Sequence, residues 1–213
     1  MHNPNTNIEL KKWYYIVSIV LILLCFFPFI SFYDIGTDTQ PYAFLLSLLI
    51  VFTMSEPKIN TKLISLGIVS FFAVATFLFL GDIGYTEMRS LFNYLSIFFI
   101  SYATFIVLKK NNGINENTIK IIINSWFVIG FVQMFIQRDF LFFLVAQSRT
   151  DISRGVLCLN PEPSFYAYMI IFAMLFVLDF KKNKVAYLLN LIIQLVIFAQ
   201  SAIGMLYIIV YGL

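Results

Sequence analysis

Long apolar stretches separated by short polar ones repeat along the whole chain. They cover residues 13–33, 42–54, 63–81, 91–108, 121–136 and 164–180, with a last one over 185–213. The polar–apolar alternation of half-buried strands is absent. Most of the stretches come close to the roughly 20 residues that an α-helix needs to cross a hydrocarbon core of about 30 Å. In hydrocarbon a segment must satisfy its own backbone N–H and C=O groups, which a helix does internally. The pattern therefore predicts one all-α domain over 1–213, a polytopic integral membrane bundle of about seven to eight transmembrane segments embedded in a lipid bilayer. The first stretch follows Lys11-Lys12 in the manner of a secretory signal. No small-residue cleavage site follows it, so it reads as a retained first helix.

Three places depart from a plain bundle. The stretch 42–54 is short for a span and needs flanking residues, local thinning of the bilayer or an irregular end. The connection over 137–163 is the longest in the chain, and its apolar start at 139–145 predicts a short helix lying at the interface. The stretch 185–213 carries no charge and would be about 43 Å long as a straight helix at 1.5 Å per residue. It must tilt steeply or break, and Ala199-Gln200-Ser201-Ala202-Ile203-Gly204 supplies the break near 199–204. Irregular backbone at membrane depth is tolerated only where protein buries it or a cavity borders it. Broken spans form binding sites in membrane proteins, while a small-residue helix contact through Ser201 and Gly204 is the structural alternative. The chain stops inside apolar sequence at Val210-Tyr211-Gly212-Leu213, as expected of the N-terminal portion of a longer product.

Composition sharpens the picture because ionised side chains are scarce. The chain is 61% apolar and 12% charged, with a mean hydropathy of +0.89, which excludes an ordinary soluble domain. Lys11 and Lys12, Lys58 and Lys62, Lys109, Lys110 and Lys120, and Lys181, Lys182 and Lys184 all fall at the N-terminus or in alternate connections. Positive charge is retained inside, so that side is cytoplasmic and the N-terminus with it. The outer side holds no lysine but all four arginines, Arg89, Arg138, Arg149 and Arg154. It also holds Asp34, Asp38, Asp82, Glu87, Asp139, Asp151 and Glu162. Topology explains the lysines. The arginines either pair with these acids or use their planar fork to grip phosphate or carboxylate. The net charge of +3 reflects the cytoplasmic lysines and implies no nucleic acid. His2 is the lone histidine, and Cys25 and Cys158 fall at different depths, so neither a metal site, a cofactor nor a disulfide is expected.

The densest chemistry lies in Ser153-Arg154-Gly155-Val156-Leu157-Cys158-Leu159-Asn160-Pro161-Glu162-Pro163-Ser164. Residues before proline are pushed out of the α region, which holds Asn160 and Glu162 extended. Proline suits a first helical turn, so a helix is predicted to begin at Pro163 or Ser164, with Glu162 at its N-terminus. Capping explains an acid at that position. It does not explain an acid clamped between two prolines. Gly155 allows a turn that brings Arg154 toward Glu162. Such a pair suits a diphosphate on the arginine and a sugar hydroxyl whose proton the carboxylate accepts.

Arg154-Gly155 followed by Asn160-Pro161-Glu162-Pro163-Ser164 and an aromatic-rich helix resembles the O-antigen polymerase and O-antigen ligase family. That family carries an arginine–glycine pair, a spacer, and Glu-Pro-Ser ahead of a membrane helix. Gln200-Ser201-Ala202-Ile203-Gly204-Met205-Leu206 resembles its second signature, a Ser-x-x-Gly break, with Ala202 where many members have arginine or another polar residue. The resemblance implies a fold similar in part to C-type glycosyltransferases. It implies a bacterial inner-membrane enzyme that works at the periplasmic face, without metal, on undecaprenyl-diphosphate-linked oligosaccharide. A polymerase joins such repeat units into O-antigen or capsule, with a chain-length regulator protein as a possible partner. A diphosphate leaving group needs cations. The implied catalytic residues are Arg154 and Glu162, with Arg89, Arg149, Ser164 and Ser201 binding substrate.

Other classes fit some of these features. A ligase would transfer finished glycan, commonly with an outer histidine that this chain lacks. A flippase or transporter for lipid-linked oligosaccharide would place ionised residues near mid-membrane, whereas Asp179 falls at the end of a stretch. An inactive membrane fragment or scaffold explains the aromatic richness and the lysines, but neither the outer arginines nor the prolines around Glu162.

Overall fold

The computed structural model describes residues 4–31, 41–54, 61–79, 84–111, 113–145 and 155–202, together with Gly204 and Leu206; for 4–11 and Lys62 the backbone alone is described. The described residues are helical, and their only β pairing is an isolated antiparallel bridge between Ile30 and Val145. Among the described residues the α-helices are, in order, α1 Pro4–Phe26, α2 Tyr42–Met54, α3 Thr61–Leu78, α4 Tyr85–Asn111, α5 Glu116–Phe135, α6 Pro163–Val177 and α7 Lys184–Ile193. A π turn over Gln194–Ala199 continues α7. Helices α4 and α5 are long and apolar enough to cross a membrane. Large apolar side chains point outward, among them Phe52 at 79%, Phe71 at 69% and Phe143 at 81% exposure.

Each helix end has a local cause. α1 stops at Phe26, short of residue 33, because Phe27 precedes Pro28 and is driven out of the α region. α4 begins at Tyr85, ahead of residue 91, because the Glu87 carboxylate accepts the Gly84 N–H at 3.0 Å, one half of a capping box. Arg89 therefore sits on a helix and not in a connection. α5 is capped by Asn115, whose side chain accepts the Asn117 N–H at 2.9 Å. α2 ends at Met54, whose carbonyl accepts from Lys110 Nζ at 2.9 Å, while the same ammonium lies 4.8 Å from the centre of the Tyr14 ring.

The chain packs as two compact units. The first comprises Met1–Cys25 with Pro41–Gly113, and the second comprises Phe26–Gln40 with Ile114–Leu213. In the first, α4 packs on α2 and α3, and its core joins Val17, Leu21, Ile50, Met54, Tyr102 and Ala103. In the second, α5, α6 and α7 with its π turn close around fully buried Trp126, Tyr166 and Phe198. Trp126 meets Tyr166 edge-on at 6.1 Å and Phe26 at 5.7 Å, the geometry that aromatic quadrupoles favour.

The stretch 139–145 does not form the interfacial helix that its composition suggests. Only a 3-10 turn, Phe142–Leu144, appears there, entered through a left-handed Leu141 at φ 63. The reason is tertiary. The Phe140 carbonyl is taken by the Gln133 side chain, Leu144 C=O accepts the Ser31 N–H at 2.8 Å, and Val145 bridges to Ile30. Backbone groups bound across the fold leave no continuous helical ladder.

Candidate functional site

α6 starts where the prolines require. Pro163 occupies the first turn, and Glu162 precedes it in extended backbone at φ −144 and ψ 153. Its side chain makes no capping bond to the helix. Oε2 instead accepts the Ser164 hydroxyl at 3.2 Å. The capping explanation for this acid therefore fails at the side chain, although the backbone sits at the cap position. Both Glu162 and Ser164 are half-buried.

Upstream, residues 155–160 are buried and run against the π turn. The Val156 N–H donates to the Phe198 carbonyl at 2.7 Å. Gly155 is so close that a β-carbon there would overlap the Ala199 and Phe198 carbonyls. Close approach is what Gly155 supplies here, and the chain turns further on. The turn is made by Cys158 and Leu159, at φ 45 and 67, both left-handed without being glycine. Asn160 holds that turn, its Nδ2 donating to the Leu157 and Cys158 carbonyls at 3.1 and 3.0 Å.

Two residues carry this arrangement without having been legible in the sequence. Arg138 Nη2 donates to the Gly155 carbonyl at 3.3 Å. Gln133, buried on α5, donates to the Phe140 carbonyl at 2.8 Å and accepts the Cys158 N–H at 2.9 Å. Their partners are backbone atoms, so the one available signal was a polar side chain near the C-terminal end of an apolar stretch. Cys158 Sγ reaches the Trp126 carbonyl at 3.5 Å. Burial pushes its thiol up to about 12, so it stays protonated and is not a nucleophile.

The final stretch breaks, as anticipated near 199–204, but the α-helix loosens earlier. The ladder widens to π at Gln194, and the helix is then interrupted at left-handed Gln200, φ 44. Fully buried Gln194 accepts the Tyr166 hydroxyl at 2.7 Å, and its amide nitrogen donates to the Ile123 carbonyl at 3.2 Å and to Asn190. π turns inside helices recur at functional sites. Ser201 follows the break and is buried. Gly204 packs on the Leu195 side chain of the same stretch, 2.6 Å from where a β-carbon would sit, so its close neighbour is local.

The two sequence signatures thus converge in the second unit, with Glu162, Ser164 and Ser201 all in it. Arg89 belongs to the first unit, on α4, where it is half-buried. Arg149 and Arg154 lie outside the described residues. The first unit also has a groove of about 530 Å³ between α3 and α4, lined by Phe72, Thr76, Glu87 and Tyr94 among others and by none of the candidate residues. No group of three or more metal-ligating side chains occurs among the described residues. Comparison with protein-family models, with curated proteins and with solved structures finds no match.

Proposed function

We propose that this chain is a multi-pass protein of the bacterial inner membrane, N-terminus cytoplasmic, that polymerises undecaprenyl-diphosphate-linked oligosaccharide at the periplasmic face. The observation that carries the reading is the bond between Val156 N–H and Phe198 C=O at 2.7 Å. It joins the segment that leads into Glu162 to the break in the last apolar stretch, so two regions remote in sequence meet. The outward-facing aromatics and the two helices of spanning length support a lipid setting.

In this mechanism Arg154, with Arg149, binds the diphosphate of the donor and stabilises the charge that develops as the glycan leaves. Glu162 accepts the proton of the incoming sugar hydroxyl, and the Ser164 hydroxyl orients the carboxylate through the 3.2 Å bond. Ser201 borders the site from the break.

The test is a gel of surface polysaccharide from a strain lacking the gene, beside its parent. A ladder that collapses to a single repeat unit is the expected result. Complete loss of attached glycan would point to a ligase or flippase, and an unchanged ladder would reject the proposal.

A further inference from the structure

Gln133 lies near the C-terminal end of α5 with only 2% of its surface exposed. Its one amide closes both ends of the outer connection, holding the Phe140 carbonyl on the way out and the Cys158 N–H on the way back. A carboxamide suits this task because it carries a donor and an acceptor on one planar group. An apolar side chain would leave a buried donor and a buried acceptor unpaired. The clip closes on a strained place. Cys158 and Leu159 are consecutive left-handed residues, a conformation that non-glycine residues hold only when their surroundings impose it. Four residues after Cys158 comes Glu162, with Pro161 and Pro163 stiffening the path between the clip and the head of α6.

We infer that Gln133 is the positioning residue of this locus: its side-chain amide fixes the returning strand of the connection, and through the proline-stiffened path sets where the Glu162 carboxylate stands. The half of this inference that concerns glycan synthesis rests on the function proposed above. The half that concerns the clip does not.

The test uses the full chain with Cys25→Ser, which leaves Cys158 as its single thiol, reconstituted in nanodiscs. Cys158 is fully buried, so its alkylation reports opening of the connection. Gln133→Leu removes both bonds and is expected to raise the alkylation rate at least about tenfold. Gln133→Glu is the discriminating variant. Protonated, a carboxylic acid donates to Phe140 and accepts from Cys158 as the amide does; ionised, it can only accept. Burial favours the protonated form. Among the described residues of this connection the other ionisable groups are Arg138 and Asp139 in the adjoining turn, the Cys158 thiol and Glu162, with the Tyr166 hydroxyl of α6 against that thiol. Relative to the parent at each pH, Gln133→Glu should therefore react like the parent at pH 6 and like Gln133→Leu at pH 8.5. Equal rates in all three chains, or a Gln133→Glu rate raised equally at both pH values, would overturn the clip.

Glycan length in cells separates the second half. Gln133→Leu and Glu162→Gln are both expected to shorten the ladder. If Glu162→Gln shortens it while an opened Gln133→Leu does not, the positioning role is overturned. If neither changes it, the proposed function fails and the clip stands on the thiol data.

Discussion

Gly155→Ala probes the docking of the connection most directly. The new methyl would overlap the Ala199 and Phe198 carbonyls, which are backbone atoms that cannot rotate away. The connection must back off, and the 2.7 Å bond from Val156 to Phe198 is the first contact to go. Overpacking of this kind costs about 1–3 kcal/mol, and a buried N–H left without its acceptor costs about 1–3 kcal/mol more. The loss of freedom that alanine imposes on the unfolded chain offsets about 0.4–1 kcal/mol. The net effect is about 1–5.6 kcal/mol against docking. At 1.4 kcal/mol per tenfold, this lowers the docking constant about 5-fold to 10,000-fold. Hydrogen–deuterium exchange over residues 156–160 in detergent micelles reads it as faster exchange of the Val156 amide by that factor. Exchange within about threefold of the parent would refute the close approach and the coupling of the connection to the π turn.

Two further outcomes are expected. Arg154→Ala should abolish the glycan ladder and Glu162→Gln should shorten it, and because the Glu162 side chain does not cap α6, Glu162→Gln should change thermal stability by less than about 0.5 kcal/mol; a large stability loss would return Glu162 to a structural role. In the polar first turn of α5, the Lys181 backbone N–H and then the Lys120 side chain hold the Glu116 carboxyl below its ordinary value of 4.5. A depressed carboxyl pKa stabilises above the ordinary range and ceases to do so as pH falls through the lowered value. The tether to Lys181 should therefore weaken only below about pH 4.5, seen as faster Lys181 amide exchange, and Glu116→Gln should remove that pH dependence.

The elements legible in the sequence are those fixed locally. The 42–54 stretch coincides with α2, Pro163 starts α6, and Gln200 and Ser201 interrupt the last apolar stretch. Proline geometry and apolar runs act within a few residues, so a sequence displays them. The features that were not legible depend on partners far along the chain. Gln133 reads as one polar residue in an apolar run until Phe140 and Cys158 stand beside it. Gly155 reads as a turn until the Phe198 and Ala199 carbonyls crowd it. The apolar content of 139–145 points to helix because composition does not record that its backbone groups are taken elsewhere. The buried bond from Tyr166 to Gln194 was hidden for the same reason.

The partners at Val156 and Phe198 also set an order of assembly. During synthesis the 155–160 segment emerges well before the carbonyl that receives it, which lies beyond α6 and α7. Until then its left-handed pair at Cys158 and Leu159 is held by Gln133, Asn160, the Trp126 carbonyl and the packing of Leu159 on Phe29 and Val145. The docking of the connection is completed only by the arrival of the π turn, and a nascent chain arrested before Phe198 would lack the acceptor of the Val156 N–H.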